Sequence, residues 1–214
     1  MKIETLRKIA NREEIDYPFL LSALAHYAQP RDKISSWLKS GDLIRVKKGL
    51  YVFGQSASIM PYSQEILANL IYGPSAISLI SALSLHGLIP ERVSIITSIT
   101  PKRNKKFATP VGEFIYYYLP PQKYAIGIEL LSSTSNAPYL IATPEKALCD
   151  QISLIDRSIK LESLKEIQSY LFHDLRIDEI ALKKLRVQHL REINKIYQDD
   201  KIKTLIHFIE KWKK

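Results

Sequence analysis

Hydrophobic and polar positions follow two periods along this chain, and the switch between them marks out its elements. Near the start, Ile3, Leu6 and Ile9 or Ala10 recur at helical spacing. After Pro18, residues 19–27 form a second apolar helical stretch. Residues 30–53, PRDKISSWLKSGDLIRVKKGLYVF, carry the sharpest pattern. Pro30 suits a first helical position, where its missing N–H has no intrahelical partner anyway. Ile34, Trp37 and Leu38 then share one face, Asp32, Ser35, Ser36 and Lys39 fall mostly on the other, and Arg31 and Lys33 lie on the flanks. Gly41 supplies the left-handed residue that ends the helix. Two β-rich runs, 43–46 and 50–53, enclose Lys47-Lys48-Gly49 and predict a hairpin with both lysines projecting from its tip.

Residues 55–61 are small and polar, end in proline and read as a linker. Helices are predicted over 62–71, stopped by Gly73-Pro74, and over 75–86, with Gly87 placed to end it. The period then shortens: 93–100, 114–119 and 139–142 read as strands. Thr143-Pro144-Glu145 starts a helix that runs to about 155, with Thr as N-cap, Pro at the first helical position and an acid in the first turn. Residues 161–172, 178–197 and 202–212 read as further helices. The expected fold class is α+β. Residues 1–55 are expected to form a winged helix-turn-helix. Residues 62–214 are expected to form a C-terminal mixed α/β domain with a small sheet, helical from about 143. The pattern does not fix the strand order.

With 214 residues, 46% hydrophobic and 25% charged, the chain can bury a sizeable core. Its net charge of +9 and pI near 9.4 favour an acidic partner, most simply nucleic acid. Between 29 and 48, six basic residues (Arg31, Lys33, Lys39, Arg45, Lys47, Lys48) face two acidic ones (Asp32, Asp42), a net +4. A helix followed directly by a basic hairpin can enter the DNA major groove while the hairpin lies against the backbone. The plainer alternative is a solvated basic face, or a winged helix used in protein contacts. Arg7, Lys8 and Arg12 are expected on a solvated helix face. Lys102, Arg103, Lys105 and Lys106 flank Asn104 in what reads as a connection between strands. They suit either a solvated loop or a second contact to DNA backbone, a protein partner or RNA. Tyr116-Tyr117-Tyr118 could stack on single-stranded bases, but alternation places Tyr116 and Tyr118 on one face, so one face is expected to be core. His86 reads as a cap or core residue at a helix end.

The histidines at 26, 86, 173, 189 and 207, together with Cys149, show no metal-type spacing. Neither G-x-x-x-x-G-K-[ST] nor G-x-G-x-x-G occurs. There is no Glu-x-Lys of the kind metal-dependent nucleases carry on a core strand, and Asp199-Asp200-Lys201 falls between predicted helices. Hence no cofactor, no metal and no enzymatic activity are expected. The single cysteine, Cys149, excludes an intramolecular disulfide, fits a reducing cytoplasm and reads as a small buried apolar residue. MKIETLRKIANREE is charged from its second residue, so no signal peptide is expected there. No apolar run approaches the roughly 18 residues of a membrane span, so no membrane is expected among its partners.

Four segments together resemble the AbiEi family, the antitoxin and transcriptional regulator half of AbiE-type (type IV) toxin–antitoxin systems: WLKSGDLIRVKKGLYVF (37–53), SALSLHGLIPE (81–91), ITPKRNKKFATPVGEFIYYYLP (99–120) and IATPEKALCDQI (141–152). The likeness spans roughly residues 20–155. It implies an N-terminal winged helix and a C-terminal α/β domain. It further implies repression through double-stranded DNA at inverted repeats in the protein's own promoter. The partner it implies is a co-encoded AbiEii-like nucleotidyltransferase toxin, which the C-terminal domain is expected to counteract, in the family usually without a stable complex. Carried over by position, Arg31, Lys33, Ser35, Ser36 and Lys39 sit on or beside the recognition helix, and Arg45, Lys47 and Lys48 on the wing. Inverted repeats imply two copies on the DNA, as a dimer or as cooperative monomers. The alternative reading is an orphan regulator, or an interaction protein whose second domain binds a protein or RNA partner.

Overall fold

The computed structural model describes residues 1–133 and 137–213. The chain begins with α1 (Ile3–Ala10), which buries Ile3 and Leu6 and ends at Asn11 in the left-handed conformation. After β1 (Glu14–Asp16) comes α2 (Tyr17–Ala23), whose first turn is capped by Asp16 accepting the Phe19 N–H at 2.8 Å. Then α3 (Pro30–Ser40) buries Ile34 and Trp37 and stops at Gly41, φ 78°. The hairpin β2 (Leu43–Lys47) and β3 (Leu50–Phe53) follows, with a register shift between Arg45 and Lys47. β1 pairs antiparallel with β3, giving a three-stranded sheet in the order β1-β3-β2. Leu6, Ile15, Leu20, Leu24, Ile34, Trp37, Leu43 and Phe53 make a core beneath these helices.

The basic face expected on α1 is only partly solvated. Lys8 and Arg12 are exposed, but Arg7 is buried, ion-paired to buried Glu13 at 2.6 Å and set over the Phe53 ring. The same Glu13 oxygen accepts the N–H groups of Ile59 (3.0 Å) and Met60 (2.9 Å), and Glu14 accepts that of Ser63 at 2.7 Å. Two buried acids thus strap the linker residues onto the first sheet. Glu13→Gln keeps an acceptor but removes the charge. The expected loss is about 1–3 kcal/mol, since hydrogen bonds to charged groups are the stronger ones. A lower urea midpoint with unchanged slope is the reading that checks it.

The remainder builds a six-stranded mixed sheet. α4 (Gln64–Ile71) is capped by Ser63, and β4 (Ala76–Ile77) leads into α5 (Leu79–Leu85). β5 (Ile95–Thr100), β6 (Lys105–Thr109) and β7 (Gly112–Tyr118) follow, then α6 (Pro121–Ala125), β8 (Ile128–Ser132) and β9 (Pro138–Ala142). The order is β6-β7-β5-β4-β9-β8, with β5/β7 and β4/β9 parallel and the other pairs antiparallel. α7 (Pro144–Asp150) begins as the sequence predicts, with the Thr143 hydroxyl accepting the Lys146 N–H, and continues as a π-helical turn, Gln151–Ile155. α8 (Leu164–Ser169) also ends in a π-helical turn, Tyr170–Asp174, and α9 (Glu179–Lys184), α10 (Val187–Tyr197) and α11 (Asp200–Trp212) complete the chain. The fold is mixed α+β with two sheets.

Three further expectations change. The helix expected over 75–86 starts only at Leu79, because Ala76–Ile77 is captured as a strand between β5 and β9. The single helix expected over 178–197 is broken at Leu185 and Arg186, both extended, where buried Glu145 accepts the Arg186 N–H at 2.7 Å and holds its guanidinium and His189 at 3.2 Å. The connection holding Lys105 and Lys106 is in fact the start of edge strand β6.

Helices α5, α7 and α10 share a buried polar cluster. Lys146 and Asp150, one helical turn apart and both fully buried, pair at 2.5 Å. Lys146 Nζ also reaches the Tyr197 hydroxyl at 2.5 Å, that hydroxyl donates to Asp150, and Ser78 donates to the second Asp150 oxygen at 2.6 Å. The N-terminus of α5, α7 and α10 are thereby tied together.

Candidate nucleic-acid interface

α3 turns a polar face outward because its apolar positions repeat at three- and four-residue spacing and are taken up by the first core. Arg31, Ser35, Ser36 and Lys39 are exposed. Asp32, Ser35, Ser36, Lys39 and Ser40 line one shallow groove along this face. Lys33 is half-buried, its ammonium 5.1 Å from the centre of the Trp37 ring. At the helix C-terminus, Asp42 accepts from Ser40 (2.6 Å) and Ser56 (2.8 Å), and these hydrogen bonds hold its carboxyl below the usual carboxylate range. On the hairpin, Arg45 and Lys48 are exposed. Tyr17 N–H is bonded to Gly49 O at 3.0 Å, which ties the hairpin turn to the start of α2.

Lys47 departs from expectation. It does not project freely from the tip. Its ammonium donates to the Ile71 carbonyl at the end of α4, at 2.5 Å. Burial, and secondarily the nearby charge of Lys102, push its pKa down. The reason is packing: Val46, Leu50 and Val52 face the larger core, so the hairpin lies against α4 and its inner lysine is captured there. The two tip lysines therefore separate in role. With the hairpin as the expected nucleic-acid contact, Lys48→Ala should reduce the salt dependence of binding by about one unit of slope and leave stability unchanged. Lys47→Ala should leave that slope nearly unchanged and cost about 1 kcal/mol of stability, through the lost hydrogen bond. Salt-dependent titrations and urea denaturation of the two variants check this.

The second basic run lies near the hairpin. Lys102 Nζ donates to Gly73 O at 2.6 Å and stands 5.5 Å from the centre of the Tyr72 ring. Lys106 pairs with Glu113 at 2.8 Å. Arg103 and Lys105 are exposed and carry no ion pair among the described residues. Tyr116 is the core member of the tyrosine run, fully buried with its hydroxyl on Ala68 O at 2.6 Å, whereas Tyr118 is 48% exposed. Sequence reasoning assigned Tyr72 no role, although it lines a groove with Lys102, Arg103, Asn104, Lys105 and Tyr118. Its position between the end of α4 and Gly73-Pro74 gives no signal for that. His86 is the C-cap residue of α5, as expected, and its backbone N–H bonds to Ala82 O, but its side chain turns away from that helix. Its Nε2 lies 2.8 Å from Ala142 O, across on β9. Cys149 is fully buried, as expected, and burial drives its thiol pKa far up. Among the described residues no cluster of His, Cys, Asp and Glu could hold a metal ion, and no helix is long and apolar enough to cross a membrane.

No protein-family model matches this sequence, and no curated protein matches it. Among solved structures, the crystal structure of the RV2827C protein from Mycobacterium tuberculosis is similar, with a TM-score of 0.60. The similarity covers 97% of this chain and 75% of that chain at 13% sequence identity. At this identity the likeness is one of fold.

Proposed function

We propose that residues 1–55 act as a winged helix-turn-helix, with α3 as the recognition helix and the β2–β3 hairpin as the wing. The observation that carries this is the exposure of Arg31, Ser35, Ser36 and Lys39 on the outer face of α3, followed directly by exposed Arg45 and Lys48 on the hairpin. A short polar helix face suits base edges in the major groove, and flanking cations suit phosphates. In this reading Arg31, Arg45 and Lys48 supply affinity that falls with salt, while Ser35, Ser36 and Lys39 supply sequence preference. Lys33 supports α3 from its half-buried position over Trp37.

On the resemblance over 37–53, 81–91, 99–120 and 141–152, the protein is a transcriptional repressor of its own operon and the antitoxin to a co-encoded nucleotidyltransferase-like toxin. It binds inverted repeats as two copies and opposes the toxin without a stable complex. The test is a titration with the duplex just upstream of this gene against a scrambled duplex, at two salt concentrations. Salt-sensitive preference for the upstream duplex supports the repressor. Equal binding to both removes it. Rescue of growth on co-expression with the neighbouring gene tests the antitoxin role separately.

A further inference from the structure

The groove beside β6 has a shape and chemistry that duplex binding by α3 does not use. It lies between the turn that joins β5 to β6 and the end of β7, and is lined by Tyr72, Lys102, Arg103, Asn104, Lys105 and Tyr118. Among the described residues no acidic side chain lines it. The turn is held in place from several sides. The Thr100 hydroxyl donates to Pro74 O at 2.7 Å and accepts the Lys102 N–H at 3.2 Å. Asn104 Oδ1 accepts the Tyr118 N–H at 2.6 Å. Lys102 is bonded to Gly73 O. Tyr72 packs edge-on against buried Tyr116, ring centres 5.3 Å apart, and against Phe107 at 5.8 Å, so the aromatic wall is anchored in the core. Two cations, Arg103 and Lys105, are left exposed without an ion pair among the described residues, and Tyr118 is left half-exposed.

An exposed aromatic ring next to unpaired cations on a rigid, acid-free rim matches what an unstacked base and its flanking phosphates need. Duplex DNA offers no free base face to such a ring, so charge alone would hold it there. We propose that this groove binds single-stranded nucleic acid, with one base stacked on Tyr118 and the adjacent phosphates on Arg103 and Lys105. The site is separate from the outer face of α3 and does not depend on how α3 is used.

The experiment is fluorescence anisotropy of the full chain with labelled short oligo(U) and oligo(dT), with and without unlabelled upstream duplex. Tyr118→Ala should weaken oligonucleotide binding by about tenfold or more, the range of one base–aromatic stack, and Tyr118→Phe should preserve it. Arg103→Ala should weaken it with a smaller salt dependence. Duplex binding should not respond to Tyr118→Ala. Tighter binding of oligo(U) assigns the site to RNA, and tighter binding of oligo(dT) to single-stranded DNA. Unchanged oligonucleotide affinity in Tyr118→Ala, with its melting temperature intact, overturns the proposal. So does loss of oligonucleotide binding on substitution of Ser35, Ser36 and Lys39 in α3 rather than of the groove.

Discussion

Asp150→Ala should produce the largest stability loss of any single change in this chain, about 3–5 kcal/mol, the cost of leaving one member of a buried ion pair alone. Lys146 would remain fully buried with its charge opposed by no carboxylate, and the Ser78 and Tyr197 hydroxyls would lose their acceptor. Burial already pushes the Lys146 pKa down, and Asp150 is what resists that shift. Against a typical total of about 5–15 kcal/mol, such a loss leaves the variant partly unfolded near ambient temperature. Lys146→Met with Asp150→Leu removes both charges and should recover most of the loss, because a buried ion pair is replaceable by apolar groups of similar size. Urea midpoints of the single and double variants decide it. A single variant no weaker than the double would mean that the pair carries no coupling.

Removing three exposed cations together, Arg31→Ala, Arg45→Ala and Lys48→Ala, should lower duplex affinity by about a hundredfold, at on the order of 1 kcal/mol for each lost charge-assisted contact. The slope of log affinity against log salt should shrink by about 0.9 for each phosphate contact removed. All three residues are exposed, and none of them makes an ion pair among the described residues, so the melting temperature should hold. A full-strength complex with an unchanged salt slope would place the duplex on another surface.

The sequence carried the elements whose signals are local. α3 was legible from Pro30, the Ile34-Trp37-Leu38 face and Gly41, and its exposed residues were those expected there. The start of α7 was legible from Thr143-Pro144-Glu145. What escaped was set by distant partners. Ala76–Ile77 is a strand only because β5 and β9 flank it, and its two residues hold no periodicity to read. β6 hides behind Lys105 and Lys106, since charged residues on an edge strand face solvent and mimic a loop. β1 and β8 were likewise missed, one being three residues long and the other an edge strand. The helix break at Leu185 has its cause at Glu145, forty residues away. Arg7 and Lys47 read as free cations until Glu13 and the Ile71 carbonyl are placed beside them. Charge is visible in a sequence, but whether a charge is free for a phosphate depends on what the fold brings next to it.

We propose that the outer face of α3 enters the major groove of a duplex. Dimethyl sulfate protection of the upstream duplex tests it most directly, because guanine N7 is exposed only in that groove. Bound protein is predicted to protect a cluster of guanine N7 positions, and protection should disappear with Ser35→Ala, Ser36→Ala and Lys39→Ala combined while general affinity persists. Tight binding that leaves every guanine N7 reactive would rule out major-groove entry by α3.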